Sequence, residues 1–157
     1  VQYRVVVIRQ AHEQVETMAA STSYRLDQSL KHGLAERAAT EGITETALVS
    51  RMLEEGLKAA SYPGIVYRGG PAGRRAGIAG GPDVWEVIVA VRHAAGRGDA
   101  KVADAARQMD LPERLVRLAV SFAAANRDEV EERIALNDAA AERARELAEQ
   151  RDRLLAS

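Results

Sequence analysis

A short polar–apolar alternation followed by two punctuated helical repeats constrains this chain most. In Ser21-Thr22-Ser23-Tyr24-Arg25-Leu26 the less polar Thr22, Tyr24 and Leu26 alternate with Ser21, Ser23 and Arg25, the period of a half-buried strand. Leu30, Leu34 and Ala38 then recur at helical spacing up to Gly42, a residue that stops helices. Thr44, with Glu45 and Thr46 behind it, restarts the pattern as an N-cap, and Val49, Met52, Leu53, Gly56 and Leu57 continue it. A strand this short is unstable alone, because its backbone donors and acceptors need a neighbour. The stretch offers no second strand. The economical partner is the same strand from a second copy, antiparallel across a two-fold axis, with the helices intertwined beneath it. Ser21, Ser23 and Arg25 of both copies would then share one face.

The stretch from Tyr24 to Leu57, YRLDQSLKHGLAERAATEGITETALVSRMLEEGL, resembles the ribbon-helix-helix (Arc/MetJ-like) DNA-binding proteins. The matching points are Arg25-Leu26, the Gly42-x-Thr44-x-Thr46 turn and Leu48-Val49. The resemblance implies a two-stranded ribbon in the major groove of double-stranded DNA, where alternate strand residues read base edges. By position these are Ser21, Ser23 and Arg25. It also implies a phosphate at the start of the second helix, on Thr44, Glu45 and Thr46, where unsatisfied N–H groups and the helix dipole favour an anion. Glu45 departs from that pattern, since its charge competes with the phosphate.

Composition bounds the rest. Aromatic residues make up only 4% of the 157 residues against a hydrophobic content of 46%, so the core is aliphatic and alanine-rich, which favours helix. There is no cysteine, which excludes disulfides and thiolate metal sites. A net charge of −1 gives DNA binding no bulk support, so any footprint is local and doubled by dimerisation. No apolar run approaches membrane-spanning length, and Val5-Val6-Val7-Ile8 is too short for a signal-peptide core. A cytoplasmic location is the expectation.

Residues 1–20 read as an N-terminal extension or frayed arm, Met18 being a natural start just before the strand; an arm reaching DNA through Arg4 and Arg9 is the alternative. Residues 21–60 form the ribbon-helix-helix module. Between Ser61 and Pro82 the composition turns to Gly, Pro and Arg. Gly64-Ile65-Val66-Tyr67 and Ala76-Gly77-Ile78-Ala79 flank a Gly69-Gly70-Pro71 turn, which predicts a small hairpin or an irregular loop. Arg68, Arg74 and Arg75 are expected to be solvated there, since the glycine spacing fits no nucleotide fingerprint. Helical patterns resume with Val84, Trp85, Ile88, Val89 and Val91, and Trp85 reads as a core anchor. Gly96-Arg97-Gly98 interrupts them. Val102 to Met109, the Asp110-Leu111-Pro112 turn and the run through Leu115, Val116, Leu118 and Val120 then read as a helix-turn-helix, with small Ala105 and Ala106 at the crossing.

This second stretch, in its parts Tyr62 to Val91 and Leu111 to Ile134, resembles the DUF433 domain, a small bacterial helical domain classed among antitoxin components beside PIN-like toxins. The matching points are Pro63-Gly64-Ile65, the Arg74-Arg75 turn, Val84-Trp85 and the Leu111 to Val116 helix. Gly80-Gly81-Pro82 stands where the family carries Gly-Thr-Arg, so no role of that arginine transfers. Residues 61–127 make this domain, and residues 128–157 a charged amphipathic helix with Val130, Ile134, Ala141, Ala144, Leu147 and Leu154 on its apolar side. Such a helix is a solvated face, a coiled-coil strand or an arm laid into a partner's groove. The resemblance favours the arm, with Val130, Ile134, Ala141, Leu147 and Leu154 against a toxin.

The histidines His12, His32 and His93 lie at no metal-ligand spacing, and no nucleophile–base pairing is visible. No metal, no cofactor and no enzymatic activity are expected. The fold expected is mainly α: an intertwined ribbon-helix-helix dimer, then a helix-turn-helix-like domain with a short N-terminal hairpin and a long C-terminal helix. The expected function, by resemblance, is that of a DNA-binding antitoxin of a type II toxin–antitoxin pair, repressing its own operon and neutralising a PIN-like ribonuclease. A stand-alone dimeric repressor is the alternative, and a scaffold that touches no DNA is a third.

Overall fold

The computed structural model describes residues 23–71 and 73–156. Six helices and one two-stranded sheet are present among the described residues: α1 (Gln28–Glu41), α2 (Glu45–Ser61), β1 (Ile65–Arg68), β2 (Arg75–Ile78), α3 (Val84–His93), α4 (Asp99–Met109), α5 (Glu113–Ala125) and α6 (Arg127–Leu155). The chain divides into two compact units between Leu48 and Val49.

In the first unit, the Asp27 carboxylate accepts the Leu30 N–H at 2.8 Å and caps α1. Gly42 ends α1 in the left-handed region, φ 66°, its N–H directed to the carbonyls of Ala38 and Ala39. A β-carbon disfavours that conformation, so glycine is the residue suited to the stop. The Thr44 hydroxyl then accepts the Ala47 N–H at 3.1 Å, making the expected N-cap of α2. Ala38 and Leu48 are the buried apolar residues here.

Of the expected strand over Ser21–Leu26, no part is formed among the described residues. Ser23 to Leu26 carry no regular secondary structure and are exposed, while Ser21 and Thr22 lie outside the described residues. Among the described residues this segment pairs with no strand, and a strand needs such a neighbour to hydrogen-bond with.

The second unit is built on a hairpin and a helical core. β1 and β2 pair antiparallel in the register Ile65↔Ile78, Val66↔Gly77, Tyr67↔Ala76, Arg68↔Arg75, so the hairpin expectation holds and the irregular loop does not. Ile65, Ile78, Val84, Val87, Ala105, Val116, Ala119 and Phe122 form its buried centre with Val130 and Ile134. Phe122, fully buried in α5, is the aromatic hub: Tyr62 and Tyr67 stand edge-on to it, with ring centroids at 5.4 and 6.5 Å. Trp85 is only half-buried at the margin of this cluster, because the first turn of α3 points Val84 and Val87 inward instead.

α4 begins at Asp99, three residues before the expected Val102, since Gly98 supplies a positive φ of 53° just ahead of it. Asp110 closes α4 in the left-handed region, with Leu111 N–H bonded to the Ala106 carbonyl at 2.9 Å. Ala105 and Ala106 are buried. α4 and α5 thus form the helix–turn–helix pair that the Asp110-Leu111-Pro112 turn predicts. α6 starts at Arg127 and carries Val130 and Ile134 into the core. From Ala135 to Ala156 every residue is exposed.

Candidate nucleic-acid interface and partner surfaces

The first unit offers the candidate DNA-reading residues. Arg25 and Ser23 are exposed on the segment just before the Asp27 cap, and Ser21 lies outside the described residues. Asp27 fixes where that segment becomes helix: the Ser29 hydroxyl donates to its carboxylate at 2.7 Å and Leu30 N–H at 2.8 Å. Those donors, Ser29 first, hold the Asp27 carboxyl below its usual range. Thr44, Glu45 and Thr46 are exposed at the start of α2. The Thr44 hydroxyl oxygen already serves Ala47, so an anion there would meet backbone N–H groups beside it.

Apolar surface is left uncovered on both sides of the unit boundary. In the first unit Tyr24, Leu26 and Leu30 are exposed; on α2, Met52, Leu53 and Leu57 are exposed as well. Large apolar side chains arranged this way are what an interface buries.

In the second unit the hairpin arginines are held in ion pairs rather than simply solvated as expected, with Arg68 and Arg75 half-buried and Arg74 exposed. Asp83, at the N-cap of α3 and buried, receives Arg68 Nη2 at 2.6 Å on one oxygen and Arg75 Nε on the other. Arg68 also donates to the Gly81 carbonyl at 2.9 Å, and the Glu86 carboxylate accepts the Asp83 backbone N–H at 2.8 Å. Register explains the convergence, because Arg68 and Arg75 are cross-strand partners and Gly77 bridges to Asp83. Arg74 makes two bonds to Glu55 on α2, at 2.7 and 2.5 Å.

A second polar junction ties α2, β1 and α6. Glu129 accepts Lys58 Nζ at 2.8 Å and the Tyr67 hydroxyl at 3.1 Å, while Lys58 also reaches Glu54 at 2.7 Å. Burial and the neighbouring Glu129 charge push the Tyr67 phenol well up, so it stays protonated and donates. Burial alone would lower Lys58; its bonds to Glu129 and Glu54 outweigh that and raise it.

Between this hairpin, the first turn of α3 and α6 lies a cleft of about 260 Å³. Val84, Ala76 and Val130 line it together with Trp85 and Leu136, and Arg74, Arg75, Glu129 and Arg133 stand around it. The Trp85 indole N–H is buried without a hydrogen-bond partner. Sequence reasoning missed both the cleft and the Asp83 pair of ion bridges. Asp83 with Glu86 three residues on was a legible capping pattern, but the arginines become its partners only once the hairpin register is known.

Of the five proposed toxin contacts, Val130 and Ile134 are 4% and 8% exposed and belong to the core. Their side chains are spent on folding and present no surface to a partner. Ala141, Leu147 and Leu154 are exposed on α6. His32 is exposed and 3.2 Å from Glu36; His93 is exposed with its ring nitrogen 2.9 Å from the Val89 carbonyl; His12 lies outside the described residues. Among the described residues no group of three or more His, Asp or Glu could hold a metal ion, and no helix is long and apolar enough to cross a membrane. The chain matches no protein-family model, and no curated protein or solved structure is significantly similar to it.

Proposed function

We propose that this chain is a dimeric DNA-binding antitoxin of the type II kind, reading an operator through its N-terminal segment and capturing a PIN-like toxin through the exposed part of α6. The observation that carries the DNA-binding half is the local build of residues 23–48: an exposed segment bearing Arg25, a capped α1, a left-handed Gly42 and a Thr44-capped α2. The uncovered Tyr24, Leu26 and Leu30, and separately Met52, Leu53 and Leu57 on α2, supply apolar surface for a second copy. Ser21, Ser23 and Arg25 from both copies would then read base edges, with Thr44, Glu45 and Thr46 beside a phosphate. The toxin half is supported by the exposed Ala141, Leu147 and Leu154, a helix face suited to a partner's groove.

The test is an affinity capture of the tagged chain from its native host, followed by mass spectrometry. Co-recovery of a small PIN-like protein in fixed ratio, lost when residues beyond Leu136 are removed, is the expected result. Recovery of the homodimer alone, from cells expressing the neighbouring gene, would favour the stand-alone repressor.

A further inference from the structure

The cleft between the hairpin, the first turn of α3 and α6 is lined by two groups that folding leaves unused. One is the Trp85 indole N–H, buried and without a hydrogen-bond partner. A donor withdrawn from water and left unpaired costs free energy, and native proteins carry few of them. The nearby carboxylates are committed elsewhere. Glu86 accepts the Asp83 backbone N–H, Asp83 holds Arg68 and Arg75, and Glu129 holds Lys58 and the Tyr67 hydroxyl. The other group is Leu136, 54% exposed. It stands where α6 leaves the core, since Ile134 is buried and every residue from Ala135 to Ala156 is exposed.

The walls set the kind of occupant. Ala76, Val84 and Val130 are buried apolar side chains, and with the indole and Leu136 they offer a mostly apolar lining. Ligand sites are commonly built this way, with a few placed polar groups that fix orientation. At about 260 Å³ the cleft lies just below the roughly 300–1,000 Å³ of drug-sized sites, so it suits a single ring with a short substituent.

Charge narrows the class further. Arg74, Arg75 and Arg133 line the cleft against Glu129 and Glu132. Arg74 is paired with Glu55 and Arg75 with Asp83, and Arg133 is engaged as well. These arginines are therefore not available to hold an organic anion, and the two carboxylates disfavour one. Three guanidinium groups in turn disfavour a cation. A neutral molecule meets neither penalty, and an unpaired donor calls for an acceptor on it.

We propose that this cleft is a binding site for a small, flat, neutral molecule whose carbonyl oxygen accepts the Trp85 N–H while its apolar body lies against Val84, Val130 and Leu136. The assignment is independent of the DNA-reading and toxin-capturing proposals, and the failure of either leaves it standing.

Trp85 is the only tryptophan, so its indole N–H gives one resolved signal in a proton–nitrogen correlation spectrum of the full-length chain. Acetophenone, a neutral aryl ketone, is the probe, with benzoate and benzylamine as its anionic and cationic counterparts. Acetophenone is expected to shift the indole signal saturably, with half-saturation at about 1–10 mM, the affinity a ligand of this size reaches. Benzoate and benzylamine should each bind at least tenfold more weakly. Trp85→Phe keeps the ring and removes the donor. Followed at the Ala76 and Val130 backbone amides, it should weaken acetophenone roughly threefold to tenfold. Leu136→Glu, at an exposed position and so without effect on helix content by circular dichroism, should abolish saturation. An indole signal that acetophenone leaves unmoved would overturn the proposal without recourse to any variant. Benzoate or benzylamine binding as tightly as acetophenone would overturn the neutral class, and unchanged affinity in Trp85→Phe would overturn the role of the N–H.

Discussion

Replacing Asp83 with alanine removes the one carboxylate that two hairpin arginines share. Its side chain is 9% exposed, against 36% for Arg68 and 26% for Arg75. Breaking a fully buried ion pair costs about 3–5 kcal/mol, whereas exposed pairs are worth about 0–1. Both arginines can swing part of their guanidinium groups into water, so the loss lies between those limits, at about 2–3 kcal/mol. For a unit of this size each kcal/mol corresponds to roughly 4 °C in melting temperature, predicting a drop of about 8–12 °C. Trp85, the only tryptophan, sits two residues away and reports the transition by fluorescence. Gly77→Ala provides an independent check, because the new β-carbon would overlap the Arg68 guanidinium and could be accommodated only by moving it off Asp83. Its cost should shrink markedly in the Asp83→Ala background, as expected for coupled residues. A change below about 0.5 kcal/mol in Asp83→Ala, the range of ordinary surface substitutions, would refute the view that this pair fastens the hairpin to α3.

Gly42→Ala should cost about 1 kcal/mol in urea unfolding, from the left-handed φ alone, since nothing lies within 4 Å of the added carbon; an unchanged midpoint would contradict it. Thr44→Ala should cost about 1 kcal/mol by losing the Ala47 cap, and Thr44→Ser should restore most of it. Asp104 is held below the ordinary carboxylate range first by the Ala95 N–H, with Arg107 and Gln108 adding to it. A depressed folded-state pKa gives stability that is present above the unfolded value, about 3.9 for Asp, and lost as pH falls through the lower folded value. Acid unfolding followed by circular dichroism should therefore begin at a less acidic pH, and the acid-side slope should flatten, in Asp104→Asn; a profile identical to wild type would count against it.

The punctuation of the helices was legible because each signal is local. Gly42, Thr44 and the Asp110-Leu111-Pro112 turn act through their own backbone, and the structure places a left-handed stop, a cap and a helix junction there. The hairpin was legible in outline for the same reason. What could not be read depends on contacts distant in sequence. Arg68 and Arg75 looked like solvated turn residues until the strand register placed them across from each other and beside Asp83. Val130 and Ile134 share a spacing with Leu147 and Leu154, and periodicity cannot distinguish the part of α6 that the core covers from the part it leaves exposed. Trp85 attracted notice by its size, while Phe122 became the hub because α5 crosses the centre of the unit. The alternation at Ser21–Leu26 has no such local support: Ser23 to Leu26 carry no regular secondary structure, and a strand there needs a pairing neighbour.

The central claim is that this chain reads DNA through its N-terminal segment, and fluorescence anisotropy on a duplex from upstream of its own gene tests it most directly. The account predicts saturable binding that weakens with salt. If each copy neutralises about two phosphates, a log–log slope of about 0.9 per phosphate implies roughly a hundredfold loss between 50 and 200 mM salt. Arg25→Ala should cost about 1–3 kcal/mol per half-site and relax the sequence preference. Binding that is absent at low salt, or equally tight and equally selective in Arg25→Ala, would contradict the account.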